Sequence, residues 1–459
     1  INRTGLKQGE ILLAKLLKRN NIQHIEQKQA AVEELSNNLK FRQNFTAEAQ
    51  MLENQDELNA IVKALEQHQN FVPKSFRYLG WFFSALSIAV IALYAFGILN
   101  TMQLLLWIFI GLGITGLYLK KINVLSHITS KAQELFRQYQ KLIDAVEQQQ
   151  FKSELLNNKQ SQLSSKHQKA SEAINSLSKY IDALEQRQNL MVGFVFNAFL
   201  LWDLQQSYKI EQWLSNHNNE LKHWFNIVAF FDAQNSLGNL AFNQKTYSYP
   251  IVDENSNLIL DCKSATHPLI PKKQAVVNDF SVKNEDFLII TGANMAGKST
   301  FLRTVSLMIV MANLGLPVCA SHCVYKPIKL ITSMRTSDSL SDESSYFFSE
   351  LSRLKVIIEH LKTDTYFIVL DEILKGTNSH DKAKGSKQFI EKLVNTNSTG
   401  IIATHDLSLC ELSDQLKQVH NFYFDAEIIN DELHFDYKFK KGICQNMNAS
   451  FLLKKMGIV

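Results

Sequence analysis

The sequence predicts an α + α/β chain: a helical core and lever carrying a transmembrane hairpin, followed by an α/β domain with a mainly parallel sheet. Three observations predict it. Apolar residues recur at helix spacing through the first half, where no proline occurs before Pro73. A run of 42 residues, Tyr78 to Leu119, carries no charge. After about residue 245, short apolar runs alternate with loops and helical patterns, as in parallel-sheet domains.

From Gly5 to Glu66, Ile11, Leu12, Leu16 and Leu17, and later Val32, Leu35 and Leu39, mark one face of successive helices, so residues 1–77 read as a helical core. The chain starts at Ile1 rather than Met, and its beginning is expected to be missing. The charge-free run is too long for a buried soluble helix, since a membrane span needs about 20 apolar residues. Asn100, Thr101 and Gln103 divide it into two such lengths, which predicts a hairpin over 78–119. Lys74 and Arg77 precede it and Lys120 and Lys121 follow, so the positive-inside rule puts both ends in the cytoplasm. The expected location is the cytoplasmic membrane. A hydrophobic hairpin buried in a core or an oligomer interface is the alternative. Residues 120–245 read as lever and core helices, with Leu135, Tyr139, Leu142 and Val146 as a packing stripe and Trp202, Trp213 and Trp224 as core residues.

Charge and cysteines restrict less. A net charge of +4 neither requires nor excludes nucleic acid. Cys262, Cys319, Cys323, Cys410 and Cys444 are odd in number and lack paired metal-site spacing, which fits a reduced cytosolic setting.

Residues 246–459 carry the chemistry. Gly292, Ala293, Asn294, Met295, Ala296, Gly297, Lys298 and Ser299 match the eight-position P-loop, between the apolar strand Phe287–Ile290 and a helix opening through Phe301, Leu302 and Val305. Glycines let backbone N–H groups curl round phosphates, the helix N-terminus adds positive dipole, Lys298 reaches the outer phosphates and the Ser299 hydroxyl can ligate magnesium. A second strand, Phe367–Leu370, ends in Asp371, a magnesium ligand, and Glu372, which orients or deprotonates water. A third, Ile401–Ala403, ends in Thr404 and His405, placed to sense a γ-phosphate. Together these motifs predict a P-loop ATPase site for ATP and Mg2+.

The stretch Thr291–Thr300, with Asn294-Met295 inside the loop, resembles the extended P-loop of the MutS family, which commonly has Pro at the place of Ala293. Asp371-Glu372-Ile373 with Gly376-Thr377 is similar to that family's Walker B and following loop, although Leu374-Lys375 stands where Gly-Arg is usual. Ala403-Thr404-His405 resembles its switch histidine, and Thr266-His267-Pro268 and Asn278-Asp279 resemble the stretches preceding its P-loop, where backbone contacts nucleotide. Ser345 to Glu350 resembles its signature helix; the resemblance implies that Ser345 reaches the nucleotide of an opposing subunit, hence a homodimer joined through the ATPase domains. Asn2 to Gly5 and Gln29 to Leu35 resemble the start of the family's helical core.

The resemblance implies a DNA mismatch repair-related ATPase whose dimeric switch controls binding to mismatched or branched DNA. The apolar hairpin supports an alternative, a membrane-tethered MutS-like ATPase with a mechanical or signalling role and no mismatch recognition. An ABC-type transporter is a remote third reading, opposed by the lack of a Leu-Ser-Gly-Gly-Gln-like sequence between Asn294 and Asp371.

Overall fold

A computed structural model describes residues 1–52, 58–164, 168–334, 346–375, 378–429 and 432–445. They fall into two compact units, Ile1–Ala14 with Glu34–Asn239, and Lys15–Glu33 with Leu240–Val459. The helices preceding the sheets are α1 (Lys7–Lys18), α2 (Ile25–Asn37), α3 (Leu39–Gln50), α4 (Leu58–Glu66), α5 (Phe76–Ala95), α6 (Thr101–Gln148), α7 (Glu154–Ser161), α8 (Ala170–Glu185), α9 (Leu190–Leu200) and α10 (Trp202–Asn243).

In the first unit the polar step inside the charge-free run is a turn and a cap. Gly97 takes φ +71°, and Asn100 accepts the Gln103 N–H while the Gln103 side chain accepts the Asn100 N–H, a capping box that starts α6. Phe83 stacks on Trp107 with ring centroids 4.8 Å apart, and Trp107 Nε1 donates to Ser87 Oγ at 2.9 Å, which ties α5 to α6. The second arm does not stop at Leu119. No glycine or proline interrupts the chain between Lys120 and Gln148, so α6 runs straight into the stripe of Leu135, Tyr139, Leu142 and Val146, all buried. Hairpin arm and lever are thus one 48-residue helix. The stripe packs with Phe225 of α10, whose ring lies 4.2 Å from that of Tyr139, while Phe41, Phe151 and Phe231 form an adjoining aromatic cluster. Trp213 and Trp224 are buried as expected, Trp213 donating to Ala173 O at 2.8 Å; Trp202 is half-buried. Asp232, fully buried, accepts the N–H groups of Gly5 and Leu6 at 3.0 and 2.9 Å; burial pushes its carboxyl up to about 6 against the pull of those bonds.

The second unit contains the strands β1 (Ile251–Val252), β2 (Leu258–Ala265), β3 (Asn278–Lys283), β4 (Phe287–Gly292), β5 (His322–Tyr325), β6 (Lys329–Ser333), β7 (Tyr366–Asp371), β8 (Thr399–Ala403), β9 (Val419–Phe424), β10 (Glu427–Ile429), β11 (Glu432–His434) and β12 (Lys440–Lys441). Its helices are α11 (Lys298–Asn313), α12 (Tyr346–Leu361), α13 (Ser379–Asn395) and α14 (Leu412–Gln415). The main sheet has the order β12-β9-β4-β8-β7-β6, with every described pairing parallel except β12 with β9. Its central strands are buried along their length, which is why they read as unbroken apolar runs. A separate sheet, β1-β5-β2-β3, is antiparallel apart from β1 with β5. The sequence reading expected a mainly parallel sheet and did not foresee this one. Residues Lys15–Glu33 pack here as well: Asn20 exchanges hydrogen bonds with the Leu330 backbone, and Lys28 Nζ donates to Asn313 O at 3.0 Å.

Candidate active site

The three strands that end in polar signatures lie side by side, in the order β4, β8, β7, and run parallel. Ile290 pairs with Ala403 and Ala403 with Asp371, so the P-loop, His405 and the acidic pair leave the sheet at one edge, the C-terminal edge where ligands bind in open α/β sheets. Glu372 N–H donates to Ala403 O at 2.9 Å and Thr404 N–H to Ile290 O at 3.0 Å, which extends the register past the strand ends.

Two glycines shape the loop. Gly292 has φ +143°, and a Cβ there would lie 2.5 Å from Phe424 O; Gly297 has φ +108° directly before α11. Both positions demand the freedom that only glycine has. Lys298, buried, donates from Nζ to Gly292 O at 2.7 Å and Ala293 O at 2.8 Å, and lies 3.3 Å from His405 Nε2. His405 Nε2 is 3.5 Å from Glu372 Oε1, and Lys375 Nζ is 2.6 Å from Glu372 Oε2. Lys298, His405, Glu372 and Lys375 therefore form one chain of polar groups.

Burial first, then the Lys298 charge, holds the His405 imidazole below its ordinary value despite Glu372 beside it. Burial alone would raise the Glu372 carboxyl, but the Lys375 hydrogen bond and the charges of Lys375, His405 and Lys382 hold it below the usual range. The site thus favours an ionised carboxylate at Glu372, the state that proton acceptance from water requires.

A cavity of about 690 Å³ opens here. Asn294 to Thr300, Asp371, Glu372 and His405 line it, while Gly292 and Ala293 supply the carbonyls on Lys298. Its other wall includes His267, Ile270, Val276, Phe424 and Tyr437, a set suited to the flat apolar face of a base. His267 belongs to a stretch singled out in the sequence; Tyr437 was missed. It is held by Asn278, whose Nδ2 donates to Tyr437 O at 3.0 Å and whose Oδ1 accepts from Phe439 N–H at 2.8 Å. The alternating Phe435, Tyr437 and Phe439 were the available signal.

The donors fit ATP with magnesium. Glycine-shaped backbone and a helix N-terminus face the cavity, and Ser299 and Asp371 offer the hard oxygens that Mg2+ prefers. Ser345, Gly376 and Thr377 lie outside the described residues.

Comparison with known proteins agrees. Residues 288–454 match the family described as MutS domain V. The chain is 33% identical over 227 residues to the DNA mismatch repair protein MutS of Clostridium tetani, covering 47% of this chain and 25% of that protein. It is 31% identical over 258 residues to the protein of the same name from Methanococcoides burtonii, covering 53% and 28%. Human MutS protein homolog 4 is 30% identical over 200 residues, covering 41% and 21%. Residues 288–454 thus carry the likeness to MutS domain V, and the chain is similar to MutS proteins over about half its length. It spans about a quarter of the length of these MutS relatives.

The departure from the MutS pattern at Leu374 has a structural counterpart. Leu374 has φ +60°, the left-handed region that a glycine occupies freely and a leucine enters at about 1–2 kcal/mol. Its side chain is buried in the cluster with Leu370, Ile373 and Ile390, which offsets that strain. Glu350, on α12, fixes the same loop by accepting Leu374 N–H at 2.7 Å and Lys375 N–H at 3.1 Å. Truncation in Glu350→Ala leaves two N–H groups without that carboxylate and frees the backbone that carries Lys375. Loss of such a partner costs about 1–3 kcal/mol. The expected result is a lower melting temperature and a turnover that falls several-fold with little change in ATP affinity. An equal loss in both kinetic terms would place Glu350 in nucleotide binding instead.

Proposed function

We propose that this chain is the ATP-binding and hydrolysing part of a MutS-type, DNA mismatch repair-related protein, whose ATPase domains pair as a homodimer and control DNA binding. The observation that carries the ATPase reading is the convergence of Lys298, Asp371, Glu372 and His405 on one cavity at the ends of three parallel strands. Bound magnesium supplies charge neutralisation at the phosphates. Ser299 and Asp371 hold it, the P-loop N–H groups and Lys298 orient the nucleotide, Glu372 accepts the proton of the attacking water, and His405 reads the phosphate end. The family likeness supports DNA as partner, and Ser345 supports the dimer. The test is binding of the purified chain to matched, mismatched and branched DNA over a salt series, with and without ATP. Salt-sensitive, nucleotide-dependent discrimination of mismatches is expected; no binding to any form would sink the repair role.

A second reading keeps the ATPase and tethers it to the cytoplasmic membrane, in a mechanical or signalling role without mismatch recognition. What favours it is exposure: only 17% and 11% of the apolar windows of α5 and α6 are buried, whereas a soluble core helix of that composition would be mostly covered. With both ends cytoplasmic, a cysteine placed at Asn100 is expected to react with an impermeant thiol reagent from outside intact cells. Reaction only after lysis would contradict the tether.

A further inference from the structure

Beside α5 and α6, the short helix α9 is apolar and largely uncovered. Leu190 and Met191 are 87% and 79% exposed, with Phe194 and Val195 also exposed. It touches α6 where Gly111 faces Ala198: a Cβ at 111 would come within 2.2 Å of Ala198 O, so glycine is what lets the two backbones meet. Next to that contact lies a groove of about 730 Å³, walled by Leu112, Thr115 and Leu119 of α6 and by Leu190, Met191 and Phe194 of α9.

Part of this groove is charged. Arg187 lines it, its Nε 3.2 Å from Asp203 Oδ2 and its Nη2 donating to Asn123 Oδ1 at 2.8 Å. Buried Nη1 has no hydrogen-bond partner among the described residues, nor have the buried Thr115 Oγ1 and the Oδ1 of Asp203, which also lines the groove. The orphaned Arg187 donor in this largely apolar groove is costly unless an acceptor reaches it. The residues that follow Leu119 are the exposed Lys120 and Lys121, where α6 changes from apolar to basic. Apolar walls with cationic groups at the apolar-to-basic boundary match one kind of molecule, an amphiphile with an anionic head.

We propose that the groove between α6 and α9 binds one anionic phospholipid, an acyl chain lying between Leu112 and Phe194 and the phosphate accepting from Arg187. The proposal rests on the membrane-tethered reading. On that reading the groove is continuous with a surface already facing lipid, so the occupant enters sideways from the bilayer. Asp203 pairs with Arg187 Nε and leaves Nη1 to donate, and the exposed Lys120 and Lys121 follow directly on Leu119 of the groove wall, charges that favour anionic over zwitterionic heads.

The test is native mass spectrometry of the full chain released from mixed micelles of phosphatidylglycerol and phosphatidylcholine, alongside carbonate extraction of the membranes. Wild type is expected to keep one phosphatidylglycerol per chain at least tenfold over phosphatidylcholine. Gly116 lines the groove and a Cβ there meets nothing within 4 Å, so Gly116→Trp puts a bulky side chain at the groove wall from a position with room for its first carbon. This variant and Arg187→Gln are expected to lose the lipid roughly tenfold while remaining carbonate-resistant. Equal retention of both lipids by wild type, undiminished retention in Gly116→Trp, or release of wild type free of lipid overturns the proposal. Release of the wild-type chain from the membranes by carbonate is the separate result that removes the membrane reading itself.

Discussion

Replacing Glu372 with Gln is expected to cut ATP turnover by about 10²–10⁴-fold, the usual worth of a positioned general base, while leaving ATP binding close to wild type. The substitution keeps the shape of the side chain and removes only its ability to take a proton. Glu372 sits at φ +52°, its N–H fixed to Ala403 O at 2.9 Å, so the carboxylate is delivered by strained backbone at a strand end. Lys375 at 2.6 Å and His405 at 3.5 Å keep it ionised. Single-turnover release of phosphate, measured beside equilibrium binding of a fluorescent ATP analogue, separates the two effects. Turnover equal to wild type would take Glu372 out of its assigned role; loss of binding would make it a ligand rather than a base.

What the sequence disclosed depended on how local each feature is. The strands at Phe287–Ile290, Phe367–Leu370 and Ile401–Ala403 were legible because a strand buried on both faces must be apolar throughout, and each is followed closely by residues that line the cavity. The sheet containing β2 was not, because a strand that alternates buried Ile259, Leu260 and Cys262 with Asp261 and Lys263 makes no apolar run. The end assigned to the hairpin at Leu119 marks a change of solvent preference, not of backbone conformation, and α6 ignores it. Glu350 and Leu374, or Asn278 and Tyr437, meet only after folding, across 24 and 159 positions, so no spacing could announce them.

Lys298→Met is expected to weaken ATP binding by roughly 10²-fold, because it deletes the cation that the loop itself carries into the cavity, and hydrogen bonds to a charged donor are worth about 1.5–3 kcal/mol each. Lys298 donates to Gly292 O and Ala293 O at 2.7 and 2.8 Å, so its amine is held at the mouth of the loop by the loop itself. Met retains the apolar stem of this buried residue, which separates loss of charge from loss of packing. Two measurements follow. ATP raises the melting temperature of any protein that binds it only when folded, and in Lys298→Met that rise is expected to shrink at ATP concentrations that saturate wild type. The Lys298 charge also depresses the His405 imidazole, so in the variant the histidine is expected to titrate at higher pH than in wild type, by NMR, with burial still holding it below a free histidine. An unchanged His405 titration together with undiminished ATP affinity would mean that Lys298 faces neither group, and the polar chain from the P-loop to Lys375 would then be broken at its first link.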